Sequence, residues 1–224
     1  MRRRRRLPRR KAASVATTLE TTPQVSDARW RGDVRRFYER GAADYCRTTA
    51  LIDMEAQREP FLAQLPMCGR VLDLGCGSGR DLRAFRAAGY AAVGLDASEA
   101  IAAWAEAHSG ADVVVADLRA NPAPNETYDG VWASASLLHV RRHDLPAALR
   151  EVWRVMKPGA VAFISMKRGY GEATDADGRW FTYVMDAEWS ALLAAAGFVD
   201  INLQPSEMDS VWVSGVARRH TSEA

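Results

Sequence analysis

The sequence predicts an α/β protein with a doubly wound, mostly parallel sheet of seven strands and an antiparallel edge. Short apolar, β-branched runs alternate with stretches whose apolar residues recur at helical spacing. One run, Val71 to Leu74, passes directly into a turn with glycines at 75, 77 and 79. Three of the runs end in an aspartate. Strands that alternate with helices favour a parallel sheet, in which such strand ends meet at one edge.

Each predicted element has a local signal. Strands are predicted at 71–74, 91–96, 112–118, 128–134, 160–166, 198–203 and 210–217, the last two as an antiparallel pair. Helices are predicted at 33–48 (interrupted at Gly41), 54–65, 79–89, from Ser98 as N-cap, 144–155 and 187–196. Lys157-Pro158-Gly159 is expected to end a helix in a turn before the fifth strand.

The connection 167–184 is too long for a plain loop and is glycine-rich, then aromatic. Loops of this length are often lids or binding loops. We therefore expect a flap that covers a bound substrate through Trp180, Phe181 and Tyr183. An equally supported alternative is a disordered excursion whose aromatic side chains pack on the last helix.

The spacing of the glycines distinguishes two kinds of cofactor loop. The dinucleotide fingerprint is G-x-G-x-x-G, but its third glycine position is Arg80 here. The sequence instead reads G-x-G-x-G, with Asp73 two residues before the first glycine. This resembles motif I of the class I S-adenosylmethionine (SAM) dependent methyltransferases. The resemblance covers roughly residues 35 to 218 and is nearest to the small-molecule branches that act in ubiquinone biosynthesis and tellurite resistance.

The resemblance implies SAM as cofactor and a set of residues that hold it. Asp73 would face the ammonium group and Asp96 the two ribose hydroxyls, while Asp117 would accept from the adenine amino group and Leu118 would cover its ring. The remaining cofactor-binding candidates are Tyr45, Gly75, Cys76, Gly77, Gly79, Ala97 and Ser134.

Methyl transfer is an in-line displacement, so positioning of the acceptor is the main requirement. His139, just past the fourth strand, is the candidate catalytic base, and a structural hydrogen bond is its alternative role. Tyr38, on the first helix, is a further candidate for contact with the acceptor. No metal site is expected. The runner-up function is a SAM-binding regulatory or scaffold protein without turnover. An NAD-dependent oxidoreductase is disfavoured by Arg80 and by the lack of a Tyr-x-x-x-Lys pair.

Length and composition fit one domain of 224 residues. The expected divisions are a disordered basic tail (1–26), a helical cap (27–66), a SAM-binding core (67–218) and a short tail (219–224). The first 11 residues carry eight of the 30 Lys and Arg, which leaves a net charge of −6 on the rest. The basic tail is open to three interpretations: an organelle transit peptide, a nucleic-acid arm, or a non-functional upstream start.

The partner expected for the core is a small molecule. A clustered basic face and the sequence patterns of nucleic-acid methylation are both absent, so nucleic acid is an unlikely partner. No apolar run is long enough to span a membrane. Three cysteines without a C-x-x-C pair favour a reducing compartment, and we expect a cytoplasmic location. The acceptor, its reacting atom and the oligomeric state stay open.

Overall fold

A computed structural model describes residues 27–205 and 211–221, with side chains from Val34 onward. Six α-helices are present in this part of the chain: α1 (Asp27–Thr49), α2 (Glu55–Leu62), α3 (Arg80–Ala87), α4 (Glu99–Ser109), α5 (Leu145–Val155) and α6 (Asp186–Ala195). The nine strands are β1 (Arg70–Leu74), β2 (Ala91–Asp96), β3 (Asp112–Val115), β4 (Tyr128–Ala133), β5 (Met156–Arg168), β6 (Glu172–Thr174), β7 (Trp180–Val184), β8 (Phe198–Pro205) and β9 (Trp212–Arg219).

The strands form one mostly parallel sheet. The order β3-β2-β1-β4-β5 is parallel throughout. Strand β9 then pairs antiparallel with β5 and with β8, which gives the predicted antiparallel edge. The predicted α/β fold is therefore confirmed. Its seven strands are all present, and two further strands, β6 and β7, raise the count.

The sheet is covered on both faces because neighbouring residues of a strand point to opposite sides. Val131 and Trp132, consecutive in β4, belong to two different apolar clusters. The indole of Trp132 stacks on the ring of Phe163, with centroids 3.9 Å apart, beside Phe61 and Phe85. Burial on both sides explains why the central strands are continuous apolar runs rather than alternating ones.

Helix α1 lies across α4 at the carboxyl edge of the sheet. Gly41 has non-helical backbone angles, which agrees with the interruption predicted for this helix. The Glu39 carboxylate accepts the backbone N–H groups of Glu99 (2.8 Å) and Ala100 (3.3 Å) at the start of α4. An acid at a helix N-terminus is favoured by the helix dipole. This contact places the aromatic residues of α1 above the ends of β1 and β2.

Two predicted boundaries are wrong for identifiable reasons. Strand β3 stops at Val115 instead of continuing to 118, because Asp117 caps a short 3-10 turn by accepting the N–H of Arg119. Lys157-Pro158-Gly159 does end α5, but these residues lie within β5 and form no separate turn. There the pairing with β4 shifts register, and Gly159 supplies the positive φ of 78°.

The connection 167–184 is neither a disordered excursion nor a plain loop. It forms an antiparallel hairpin of β6 and β7, and β7 also pairs in parallel with Lys167 and Arg168 at the end of β5. Strand β9 ends at Arg219, one residue beyond the predicted core. The expected tail of residues 1–26 lies outside the described residues. Within the described ranges, none of the helices has the length and apolar character needed to span a membrane.

Candidate cofactor and acceptor site

The glycine loop after β1 is held against the end of β2. Its Gly75 and Cys76 N–H groups donate to the Leu95 carbonyl (2.7 and 3.1 Å), and Gly77 N–H donates to the Asp96 carboxylate at 3.2 Å. The glycines at 75, 77 and 79 all have positive φ. A Cβ on Gly75 would lie 2.4 Å from Cβ of Ser136, so this position also needs glycine for space. These three N–H groups therefore hold the glycine loop against the end of β2.

Asp73, the predicted ammonium ligand, is buried at the end of β1 with one oxygen unsatisfied. It is 2% exposed, and Oδ2 has no hydrogen-bond partner. Burial raises the pKa of this carboxyl above its ordinary range, and the neighbouring Asp81 carboxylate raises it further. An unpaired buried carboxylate is costly, and such exceptions require an explanation. A cationic ligand group beside Oδ2 would remove the cost.

Asp96, the predicted ribose ligand, lies at the end of β2 and binds two backbone groups. Its Oδ2 accepts from Gly77 and its Oδ1 accepts from Ser98 at 3.0 Å. Burial raises the pKa of Asp96, while these N–H groups act in the opposite direction. Ser98 caps α4, as predicted, by accepting the N–H of Ile101 at 3.2 Å. The carboxylate is therefore fixed in position and keeps free lone pairs for a ligand.

A first cavity of about 380 Å³ opens over the ends of β2 and β3. Of the predicted residues, it is lined by Tyr38, Tyr45, Gly75, Gly77, Asp96, Ala97, Asp117, Leu118 and His139. Both carboxylate oxygens of Asp117 are bound by the Arg119 guanidinium, which also reaches Asp144 at 2.9 Å. Any contact from Asp117 to a ligand would therefore be shared with Arg119.

A second cavity of about 540 Å³ continues from the glycine loop towards β5 and β9. It includes the predicted residues Tyr45, Asp73, Gly75, Cys76, Gly77 and Ser134. Tyr45, Gly75 and Gly77 line both cavities, so the two meet at the glycine loop. Gly79 lines neither. A Cβ there would lie 3.0 Å from the Ala105 backbone, so this glycine permits the packing of α3 against α4.

His139 takes part in a chain of hydrogen bonds with Tyr38 and Trp180. Its Nδ1 donates to the Trp180 carbonyl at 2.7 Å, because a carbonyl can only accept. Nε2 therefore carries the lone pair and accepts from the Tyr38 hydroxyl at 2.8 Å. Burial lowers the pKa of His139 to about 4. The imidazole is neutral and its basic nitrogen is already engaged.

The aromatic residues of β7 line neither cavity. The side chains of Trp180 and Phe181 are buried, and Phe181 packs against His139 with ring centroids 4.9 Å apart. Tyr183 is half-buried beside Gly169. The ring of Tyr38 contacts that of Tyr45 edge to face, with centroids 4.9 Å apart. The hairpin thus supports the wall that carries His139.

A buried ion cluster in the wall of the second cavity was not predicted from the sequence. Asp81 accepts from Arg58 (2.6 Å), from Arg80 (2.5 Å) and from the indole of Trp132 (3.1 Å). The adjacent pair Arg80-Asp81 was visible in the sequence, but Arg58 and Trp132 come from distant segments. Among the described residues, no group of His, Cys, Asp and Glu side chains is arranged to hold a metal ion.

Comparison with known proteins places this geometry in a family. Residues 71–159 match the methyltransferase domain family. Similar curated proteins include trans-aconitate 2-methyltransferase of Delftia acidovorans, 32% identical over 72% of this chain and 65% of that protein. Demethylmenaquinone methyltransferase of a Roseiflexus species is 33% identical over 67% of this chain and 66% of that protein. Malonyl-[acyl-carrier protein] O-methyltransferase of Erwinia pyrifoliae is 36% identical over 45% and 38%. The chain spans less than two thirds of the length of these relatives.

Solved structures share the fold at low identity. The 1,6-didemethyltoxoflavin-N1-methyltransferase of Burkholderia thailandensis, solved with S-adenosylhomocysteine, aligns with a TM-score of 0.75 at 19% identity over 89% of this chain and 92% of that one. The [4+2]-cyclase SpnF aligns with a TM-score of 0.69 at 18% identity over 84% of this chain and 96% of that one. Sheet order, glycine loop and domain match together make this chain a member of the class I SAM-dependent methyltransferases.

Proposed function

We propose that this protein transfers a methyl group from SAM to a small-molecule acceptor. The observation that carries the proposal is the unpaired Oδ2 of Asp73, buried beside the glycine loop where the two cavities meet. The ammonium group of SAM would supply the missing partner. Asp96 ends the neighbouring strand β2, and the N–H groups of Gly77 and Ser98 hold its carboxylate. This is the position where an acid accepts ribose hydroxyls.

The remaining cofactor contacts follow from the cavity walls. The adenosine part would occupy the first cavity, with Ala97 and Leu118 against the rings and Asp117 shared between the adenine amino group and Arg119. The methionine part would pass Gly75, Cys76 and Gly77 into the second cavity, between Tyr45 and Ser134. Gly79 supports this loop from below.

SAM supplies a methyl group that already carries its leaving group, so the protein must mainly align the acceptor. Holding the two reactants in line is worth up to about 7–11 kcal/mol. Tyr38, Tyr45 and His139 form one wall of the site, in which the ring of Tyr38 contacts both of the others. Because Nε2 of His139 accepts from Tyr38, His139 positions this wall in the structure described and does not need to remove a proton.

The trans-aconitate and demethylmenaquinone relatives support a small-molecule acceptor by their names. The [4+2]-cyclase SpnF has this fold but is named for a different reaction, so the fold alone does not establish methyl transfer. The second candidate is therefore a SAM-binding regulatory or scaffold protein without turnover. Incubation of the protein with SAM and a metabolite extract separates the two. We expect S-adenosylhomocysteine to form in step with one metabolite that gains a methylene in mass. Tight SAM binding by calorimetry without S-adenosylhomocysteine formation would favour the second candidate.

A further inference from the structure

We infer that the acceptor is an acidic small molecule whose carboxylate pairs with Lys167. The inference rests on the proposed methyl transfer and specifies the acceptor of that same site. Lys167 lies near the end of β5, and none of the acidic side chains in the described part of the chain is within salt-bridge distance of its ammonium group. The ammonium instead lies 3.9 Å from the centroid of the Phe181 ring.

The position of Lys167 follows from strand geometry. Phe163 and Ser165 line the second cavity, and Lys167 is the next residue on the same face of β5, since side chains alternate along a strand. Lys167 is also directly opposite Trp212 in β9, and Trp212 lines the same cavity. Residues opposite each other in an antiparallel pair project to the same side of the sheet. Lys167 is therefore on the face of β5 that borders the second cavity, one step beyond the lining residue Ser165 and beside the lining residue Trp212.

The surroundings of Lys167 favour an anion. Arg179 lies 5.3 Å from the same Phe181 ring, so a second cation is close. Partial burial lowers the pKa of Lys167, the charge of Arg179 lowers it further, and the Asp175 carboxylate acts in the opposite direction. Arg179 has its own partner, Asp175, at 2.7 Å, and also bonds to Tyr38. A contact with an aromatic ring compensates a partly buried ammonium only in part. A ligand carboxylate would complete the pairing.

The acids that line the second cavity do not oppose this assignment. Asp73 faces the proposed ammonium of SAM, and Asp81 is neutralised by Arg58 and Arg80. Asp53 is exposed on the α1–α2 side, where it accepts the N–H of Glu55 at 2.8 Å. An acceptor in the second cavity would thus contact the hydroxyls of Ser165 and Ser214 and would have the Lys167 ammonium beyond them.

A carboxylate acceptor also agrees with the state of His139. One carboxylate oxygen would form the new C–O bond with the methyl carbon while the C–S bond breaks, and the electron pair of that bond stays on sulfur. The products are a methyl ester and neutral S-adenosylhomocysteine. No proton leaves the acceptor, so no base is required. A neutral imidazole whose Nε2 already accepts a hydrogen bond fits this reaction.

The test compares binding and turnover in the full-length protein. The probes are trans-aconitate and malonate as carboxylates, catechol as a neutral molecule, and inorganic phosphate as another anion. Their affinities are measured by calorimetry on the complex with S-adenosylhomocysteine, and ester formation is measured with SAM. Lys167→Gln removes the proposed partner. Lys157→Gln makes the same change at the far end of β5, where Lys157 pairs with Asp129, and is the matched control.

We expect at least one carboxylate to bind, with an affinity that falls about tenfold or more in Lys167→Gln and is unchanged in Lys157→Gln. Equal binding to both variants, binding of catechol or phosphate in preference to both acids, or no binding of either acid would overturn the carboxylate assignment. Affinity for SAM is measured separately on Lys167→Gln. If the wild-type protein binds SAM but transfers a methyl group to none of the acceptors, this would instead count against the proposed function.

Discussion

The hydroxyl of Tyr38 donates to Nε2 of His139 at 2.8 Å, although 101 residues separate the two in the chain. Nδ1 of the same ring donates to the Trp180 carbonyl. The two contacts fix one neutral tautomer and connect α1, the segment after β4, and the hairpin. Three parts of the chain therefore meet at a single imidazole beside the first cavity.

Replacement of His139 by Gln should have a small effect on turnover. A general base contributes about 10²–10⁴-fold in rate, whereas a positioning residue contributes less. We expect kcat to fall by less than about tenfold, with kcat/KM showing no inflection near pH 6.5. The control is Tyr38→Phe, in which the ring of His139 loses the hydrogen bond donated to Nε2. The pKa of His139 should then rise above 4, as measured by NMR titration. A loss of about 10³-fold in kcat for His139→Gln would restore the general-base hypothesis.

The same imidazole should make stability depend on pH. The folded-state pKa of His139 is about 4, below the ordinary value of 6.5, so the unfolded chain binds more protons between these values. The stability due to the neutral ring is complete above pH 6.5 and is lost as the pH falls towards 4. Relative to His139→Gln, the wild-type protein should lose roughly 1–3 kcal/mol of unfolding free energy over this range. Urea denaturation of both proteins at pH 7 and pH 4.5 measures this difference. If the wild-type protein and His139→Gln lose the same unfolding free energy, the lowered pKa of His139 is contradicted.

Asp73 and Asp81 provide a matched pair of buried carboxylates. Asp73→Asn removes a charge that lacks a partner at Oδ2, so the free protein should be as stable as wild type or more stable. Its SAM affinity should nevertheless fall about 10- to 150-fold, since a charged hydrogen bond is worth about 1.5–3 kcal/mol. Asp81→Asn leaves Arg58 and Arg80 without their partner and should cost about 3–5 kcal/mol.

Thermal unfolding with and without SAM measures both effects. Asp73→Asn should keep its melting temperature in the free state and lose most of the SAM-induced rise. If Asp73→Asn destabilises the free protein as much as Asp81→Asn does, then Asp73 has a structural partner and its role towards SAM is not supported.

Asp96→Ala should weaken SAM binding by roughly 1.5–3 kcal/mol, about 10- to 150-fold. Part of this loss comes from the Gly77 and Ser98 N–H groups, which lose their acceptor. Asp96→Asn separates the two contributions because one amide oxygen remains to accept from the loop. Calorimetry should place its affinity between those of wild type and Asp96→Ala. Unchanged affinity in both variants would remove Asp96 from the ribose site.

The glycine loop predicts a contrast between two alanine substitutions. Gly75→Ala would place a Cβ 2.4 Å from Cβ of Ser136, whereas at Gly89, also at positive φ, nothing lies within 4 Å. We expect Gly89→Ala to cost about 1 kcal/mol from backbone strain alone. Gly75→Ala should displace the loop and abolish measurable SAM binding. Circular dichroism checks that both variants fold, and normal SAM binding by Gly75→Ala would show that Ser136 can move.

The placement of the proposed cofactor residues at the ends of β1 and β2 was predictable because its signals are local. Asp73 and Asp96 each end an apolar run, and the predicted positions match the ends of β1 and β2. Asp117 lines the first cavity, as its proposed role requires, but the predicted strand 112–118 is too long because Asp117 caps the next turn through Arg119. Short-range sequence patterns therefore predict which residues end a strand better than they predict where each strand begins and ends.

The acceptor half was less predictable because its contacts are distant in sequence. The pairing of β7 with the end of β5 and the bond from Tyr38 to His139 leave no periodic pattern. Trp180 and Phe181 have the aromatic character of a lid, yet both are buried, because the hairpin gives them neighbours that only the folded chain supplies. Gly79 belongs to the predicted cofactor motif, and its close approach to the Ala105 backbone could not be read from the spacing of the glycines.

The division of the sheet has a consequence for protein engineering. The proposed cofactor ligands all precede residue 140, whereas Lys167 and the β6–β7 hairpin follow residue 160. Exchange of residues 160–221 with the corresponding part of another family member should transplant acceptor preference and leave the SAM half unaltered. The same separation offers evolution a route to new substrates, in which one end of β5 diversifies while the glycine loop stays constant.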